Sequence, residues 1–269
     1  MNKYTKKYNV ILDNMDLIEY RLRPISAIMY IQDAFARYTA TKGAAAYDLF
    51  AKNLYWVVGE FNIEFVDTLP FWSEEIKVEI WISELSKLKI YTDYNIYYSN
   101  KVFAKGNACW FLIDSNSKRP AKTDFIKEKF EICPEFTLGE HKKFALSEIT
   151  EKISEIEHKM NLSDLDFNNH VNNKSYINIA EMTAPYEYKK THTLKQLNIR
   201  FNRETFLNDV LTCSLYKTTI PNLYAHKLEK DGVSVCEILT KWQEGINSEN
   251  IVEYDMAVKR ELNKSEIVY

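Results

Sequence analysis

The sequence predicts an α+β chain made of two similar halves, each a long antiparallel sheet wrapped around one buried helix. Three observations lead there. Strand-like runs of alternating, β-branched and aromatic residues greatly outnumber helical ones. Each half opens with a single apolar helix followed by such runs. A short stretch of the first half also aligns without gaps on the second: "FNIEFVDTLP" from Phe61 on "LNIRFNRETF" from Leu197. That alignment pairs Asn62 with Asn198, Ile63 with Ile199 and Phe65 with Phe201, and it sets Thr68 opposite Glu204. Elements recurring in the same order after such an offset are the mark of a repeated architecture.

In chain order, "RPISAIMYIQDAFARYTATKGAAAYDLF" carries Ile25, Ile28, Met29, Ile31, Ala34, Phe35 and Tyr38 at helical spacing. Pro24 suits its first turn and Gly43 a stop or kink. The helix is apolar nearly all round, so it must be buried. "LYWVVGEFNIEFVD", "EEIKVEIWISELS", "KIYTDYNIYYSN" and "KVFAKGNACWFLID" then read as one antiparallel meander, broken at Pro70 and Ser99-Asn100. "SKRPAKTDFIKEKFEICPEFTLGEHKKFALSEI" loses periodicity, gains charge and includes Pro120, Pro134 and Gly139, the composition of a linker. Beyond it the order returns: "EIEHKMNL", an Asn-rich stretch, a helix in "NKSYINIAEMTAPYEY", and four more strand-like runs ending in "VSVCEILTKWQE". The expected division is 1–130 for the first half, 131–150 for the linker, 151–246 for the second half and 247–269 for a charged tail.

Composition narrows the function. The chain has 269 residues, 46% of them hydrophobic, enough for one large core or two smaller ones. A net charge of −3 gives no basic field, so nucleic acid is not the expected partner. No apolar run is long enough to span a bilayer, and "MNKYTKKYNVILDNMD" has no signal core, so a cytoplasmic protein with no membrane insertion is expected. Cys109, Cys133, Cys213 and Cys236 lie far apart, which suits reduced, buried thiols. G-x-S-x-G, phosphate-loop and G-x-G-x-x-G motifs are missing, and six glycines leave no room for variants of them.

One stretch stands apart. "DLDFNNHVNN", residues 164–173, gathers aspartates and asparagines around His170 directly before a helix. A turn and cap would use the same residues, with Asn172 or Asn173 as the cap. A site is the other reading: an imidazole, a carboxylate and an amide near a helix start can polarise a carbonyl and move protons. N–H groups around Val171 to Lys174 would then face a developing oxyanion. With no second His nearby and with amides as poor ligands, no metal is expected.

The segment "DLDFNNHVNNKSYINIAEMTAP" resembles the D-x-N-x-H-V-N-N motif of the plant and bacterial acyl-acyl carrier protein thioesterases, with its following Tyr and Glu. "LYWVV" and "SKRPAKT" also match that family, so the resemblance runs from about residue 5 to 245. It implies a tandem (double) hotdog fold and hydrolysis of an acyl-acyl carrier protein thioester, with water the only co-substrate and no cofactor. It places the catalytic groups on Asp166, Asn168, His170 and Glu204, with Glu204 as general base or direct nucleophile. Thr205 stands where many plant members have Cys, so a thiol nucleophile is not expected there. The partner would be an acidic carrier protein, docking on Lys189, Lys190 and Lys195. The first half has Thr68 in place of Glu204 and would hold the acyl chain along Ile28, Met29, Phe35 and Tyr38. An acyl-CoA thioesterase, or an acyl-binding hotdog without catalysis, are the alternatives. One chain already supplies a hotdog pair, so a monomer or a homodimer would serve.

Overall fold

In a computed structural model the chain is described over residues 3–16, 21–166 and 169–245. The tail expected at 247–269 therefore lies outside the described residues. The first half comprises β1 (Tyr4–Asn9), α1 (Ala27–Ala40), the short α2 (Ala46–Phe50), β2 (Leu54–Phe65), β3 (Glu75–Leu85), β4 (Ile90–Tyr98), β5 (Lys101–Asp114) and the one-turn α3 (Asp124–Lys127). The second comprises β6 (Ile149–Lys159), α4 (Asn173–Thr183), α5 (Tyr186–Lys189), β7 (His192–Phe201), β8 (Val210–Thr218), β9 (Leu223–Lys230) and β10 (Val233–Glu244). Among the described residues the ten strands form one sheet in the order β1-β3-β4-β5-β2-β7-β10-β9-β8-β6. Read outward from the middle, the two sides of that order are the same topology. The expected double hotdog is the observed fold.

Each helix is held by the pattern the sequence showed. Ile28, Ile31, Ala34, Phe35 and Tyr38 of α1 are buried, and Phe61, Ile63, Ile76, Val78, Ile80 and Ile82 meet them from the sheet, all six fully shielded. Removing such side chains from water is the main driving force here. The helix is not apolar all round, since Ala36 and Arg37 face solvent. Gly43 takes a positive φ of 62° just beyond α1, the stop expected there. Tyr176, Ile177, Ile179 and Ala180 of α4 are buried in the corresponding way.

Two expectations change. The four runs read as a meander are strands, but β2 pairs with β5 and β7, not with β3. Of these four, only β3, β4 and β5 are sequential neighbours. Local periodicity identifies a strand without naming its partner. The first strand was also missed: in "YTKKYN" the buried-side residues are tyrosine and lysine stems rather than a β-branched run, yet all six residues pair with β3.

The stretch between α3 and β6 contains no strand or regular helix, and β6 begins at Ile149, just inside the expected linker. It crosses the outer face of the sheet. The Trp81 indole donates to the Glu135 carbonyl at 3.0 Å. The buried Asp93 carboxylate accepts from the Thr137 amide at 2.7 Å and hydroxyl at 2.8 Å. The His141 ring stacks on Tyr91 at 4.3 Å, and Phe144 packs with Ala225 and Leu239 of the second half. Among the described residues no helix is long and apolar enough to cross a membrane.

At the middle of the sheet Gly106 of β5 makes room for the Tyr94 hydroxyl, which donates to the Asn62 carbonyl at 2.6 Å. A Cβ at Gly106 would run into both groups. Gly106→Ala is therefore expected to destabilise the protein by about 1–3 kcal/mol, the usual cost of overpacking a core, read as a lower urea midpoint with an unchanged slope. An unaltered midpoint would show that the sheet centre relaxes freely.

Candidate active site

The second-half motif folds as a tight turn feeding a helix. The Asp166 amide donates to the His170 carbonyl at 2.8 Å, Asn169 takes a φ of 61°, and the Asp166 Oδ1 accepts from the His170 amide at 3.3 Å. Asn tolerates the left-handed region better than most residues, which is one reason for the Asn-rich sequence. Asn172 is the cap: its side-chain oxygen accepts from the Lys174 amide at 2.9 Å. The turn and the cap expected for this stretch are thus both present among its described residues.

The rest of the site comes from the chain just after β7. The Thr205 carbonyl accepts from the Val171 amide at 3.0 Å, and the buried Thr205 hydroxyl meets the Tyr176 hydroxyl at 2.7 Å. These bonds dock the segment against the start of α4. Glu204 is left facing His170, with its Oε1 3.6 Å from His170 Nδ1 and its side chain 36% exposed. The Phe206 ring meets the imidazole edge-on at 5.3 Å.

His170, Glu204 and Asp166 share the wall of a cleft of about 650 Å³ that opens between the two halves. The first half supplies Tyr55, Trp56, Val57, Val58, Trp110, Ile113 and Lys118 to the opposite wall. The Tyr55 hydroxyl donates to Glu204 Oε1 at 3.4 Å. Burial, then the Glu204 charge, push that hydroxyl up to about 12, so it is protonated at neutral pH. Arg203 and Asn173 complete the rim.

Three of the four expected site residues are brought together; the fourth, Asn168, lies outside the described residues. The expected ring of free N–H groups is mostly spent: Val171 on Thr205, Asn172 on the Asp164 carbonyl, and Lys174 on its cap. Ile28, Phe35 and Tyr38 are buried in the first-half core and Met29 is half-buried; none of the four lines the cleft. Phe35 lies directly behind its floor, stacked on Trp110 at 3.8 Å and edge-on to Trp56 at 5.0 Å. Lys189 pairs with Glu181 at 3.7 Å and Lys190 with Glu187 at 2.8 Å. Lys195 lies on β7, and none of the three lysines borders the cleft.

Sequence reasoning missed Tyr55, Trp56, Trp110, Lys118 and Arg203. The signal was in the repeat: an antiparallel pair centred on Asn62 and Asn198, extended along both strands, lays "LYW" beside "NRET". The same operation applied to the first half gives a second cleft, lined by Asp16, Leu22, Leu69, Glu181, Lys189, His192 and Trp242, of only about 40 Å³. The four cysteines are buried, and none lines the larger cleft. Burial raises the Cys109 thiol to about 12.

The chain is similar to known proteins along most of its length. Residues 1–129 match the Acyl-ACP thioesterase N-terminal domain and residues 147–244 the Acyl-ACP thioesterase C-terminal domain. It is 28% identical over 212 residues to a chloroplastic palmitoyl-acyl carrier protein thioesterase of Arabidopsis thaliana, covering 74% of this chain and 49% of that protein. It is 26% identical over 188 residues to the chloroplastic oleoyl-acyl carrier protein thioesterase 2 of the same plant, covering 65% and 51%. The chain thus spans about half the length of the curated relatives it matches. The fold is that of a crystallised acyl-ACP thioesterase from Bacteroides thetaiotaomicron, with a TM-score of 0.76 and 19% identity over 90% of this chain and 98% of that one. It is also that of the 12:0-ACP thioesterase from Umbellularia californica, with a TM-score of 0.79 and 16% identity over 90% and 98%. With both of its domains matched over most of its residues, the chain belongs to the acyl-ACP thioesterase family.

Proposed function

We propose that the protein hydrolyses the thioester between an acyl chain and acyl carrier protein, releasing the free fatty acid. The observation that carries this reading is the facing pair His170 and Glu204, 3.6 Å apart on the wall of an open cleft between the halves. Family membership supports it. In the proposed reaction Glu204 accepts a proton from water as the water oxygen attacks the thioester carbonyl carbon. The carbon–sulfur bond then breaks, and the leaving thiolate takes up the proton through the His170–Glu204 pair. The Asp166 carboxylate supports the turn that presents His170. Asn168, in the family's motif position, is proposed as the polarising amide.

Glu204→Ala and His170→Ala are each expected to lower turnover by about two or more orders of magnitude in a folded protein, the usual scale for such groups. Thr68→Ala, at the position related to Glu204 but beside the nearly closed second cleft, should keep most activity. A folded Glu204→Ala enzyme with near-normal turnover would remove Glu204 from the mechanism. An inactive but folded Thr68→Ala would mean that the first half also does chemistry.

The acyl chain is proposed to enter the first half past Trp56 and Trp110, with Phe35 stacked behind them as a depth stop. Phe35→Ala should move the preferred substrate towards longer chains more than it changes the rate on the best substrate, as measured across a chain-length series. An unchanged profile with a uniformly lower rate would assign Phe35 to core packing alone.

Acyl carrier proteins are acidic, and the cations that border the cleft are Lys118 and Arg203. We place the carrier there rather than on Lys189, Lys190 and Lys195, because Lys189 and Lys190 already neutralise Glu181 and Glu187. Raising salt from ~0.05 to ~0.3 M should raise KM more steeply for the carrier substrate than for the matched acyl-CoA, because screening acts on every exposed charge and the carrier presents a wider acidic surface than the CoA phosphates. Equal efficiency and equal salt response for the two substrates would favour the acyl-CoA reading. Binding without turnover of either would favour an acyl-binding protein.

A further inference from the structure

The active-site residues expected from the sequence all lie in the second half, yet one of their two carboxylates, Glu204, is met by a side chain of the first. We infer that Tyr55 is a positioning residue for hydrolysis, holding the Glu204 carboxylate from across the boundary between the halves. The inference rests on the reading of Glu204 as the base.

Glu204 Oε1 sits between two groups: the Tyr55 hydroxyl at 3.4 Å and His170 Nδ1 at 3.6 Å. Both approach the same oxygen, which leaves Oε2 to accept the proton of the attacking water. The three groups also pack as a unit, with the Tyr55 ring 6.3 Å from the imidazole at an interplanar angle of 63°. Behind Tyr55, the Lys118 ammonium lies 5.4 Å from the ring centroid. A phenol that stays protonated at working pH can only donate to a carboxylate, and donation stabilises the charged form. Both distances are long, as those of catalytic groups often are without a bound substrate to tighten them.

The arrangement has a structural origin. Tyr55 reaches Glu204 because β2 and β7 pair antiparallel from Glu60 opposite Arg200 to Glu64 opposite Gln196, and this register, continued, brings the start of β2 alongside the segment after β7. The related position near the second cleft is occupied by the second half's Thr191 and His192, opposite Thr68 rather than a carboxylate. No tyrosine–carboxylate pair is formed there. The donor and its acceptor thus occur together at one of the two related positions.

Tyr55→Phe in the full chain removes only the hydroxyl. With acyl-acyl carrier protein as substrate, kcat is expected to fall about ten-fold, the scale of one hydrogen bond to a charged group. KM should stay within about two-fold, so that the loss falls on kcat, where a side chain that only lined the cleft would act on KM. In a Glu204→Gln background the same change should add almost nothing, because the two side chains act as one unit. A Tyr55→Phe enzyme with the parent kcat and KM, alongside an inactive Glu204→Gln, would overturn the role of Tyr55 and leave the Glu204 reading standing. A raised KM with unchanged kcat would reduce Tyr55 to a wall of the cleft and also overturn it. Full turnover in Glu204→Gln would sink the Glu204 reading itself, and the Tyr55 role with it.

Discussion

The seam between β2 and β7 is the constraint on which the rest of the molecule depends. At its middle the Asn198 side-chain amide donates to Asn62 Oδ1 at 2.8 Å, and the Asn62 amide donates onward to Asn107 at 2.8 Å. Gln196 donates to Glu64 at 2.6 Å beside them. Side-chain amides that satisfy one another across a pair of strands tolerate little slippage, because a shift by one residue would turn every side chain to the opposite face. The seam therefore fixes register as well as contact. Since each half contributes one strand to it, the register also fixes where the start of β2 falls relative to the end of β7, and the cleft is built there.

Two related clefts follow from such a seam, and only one is open. On the second-half side of the closed cleft, Trp242, His192 and the Lys189–Glu181 pair occupy the space, and Arg23 reaches Glu181 from the first half at 3.8 Å. On the open side Trp56 and Trp110 pack back on Phe35 of α1, Trp110 stacked on it and Trp56 edge-on. The difference of about 650 against 40 Å³ is thus a matter of which side chains fill equivalent positions, not of backbone topology. A duplicated fold can keep one opening for chemistry and use the other to lock its halves together.

Much of this was legible in the sequence. The repeat found by matching Asn62 to Asn198 is also a repeat of hydrogen bonds. The Val66 and Asp67 amides donate to the Phe103 carbonyl, and the Asn202 and Arg203 amides donate to the Val235 carbonyl in the same way. Thr68 and Glu204 are therefore equivalent in backbone as well as in alignment. The buried faces of α1 and α4 were written in their spacing, and the Asn172 cap is one of the two, Asn172 or Asn173, that the sequence offered. What was not legible needed a partner strand. The neighbour of β2 could not be read from β2, and without it Tyr55 was one aromatic residue in "LYWVV" among many. Nor could spacing show that Val171, Asn172 and Lys174 spend their N–H groups locally, since their acceptors come from the turn and from the segment after β7.

Thr205 shows how closely packing and chemistry are joined in this site. Successive side chains of an extended segment point to opposite sides. With Thr205 fully buried against Tyr176, Glu204 and Phe206 on either side of it must face outward, and both meet His170 in the cleft. The Thr205 carbonyl, by accepting from Val171, ties the same segment to the residue that follows the imidazole. One residue thus sets both ends of the His170–Glu204 separation. Its hydroxyl is engaged by the Tyr176 hydroxyl and does not line the cleft, so Thr205 bears on that separation through its packing and its backbone carbonyl.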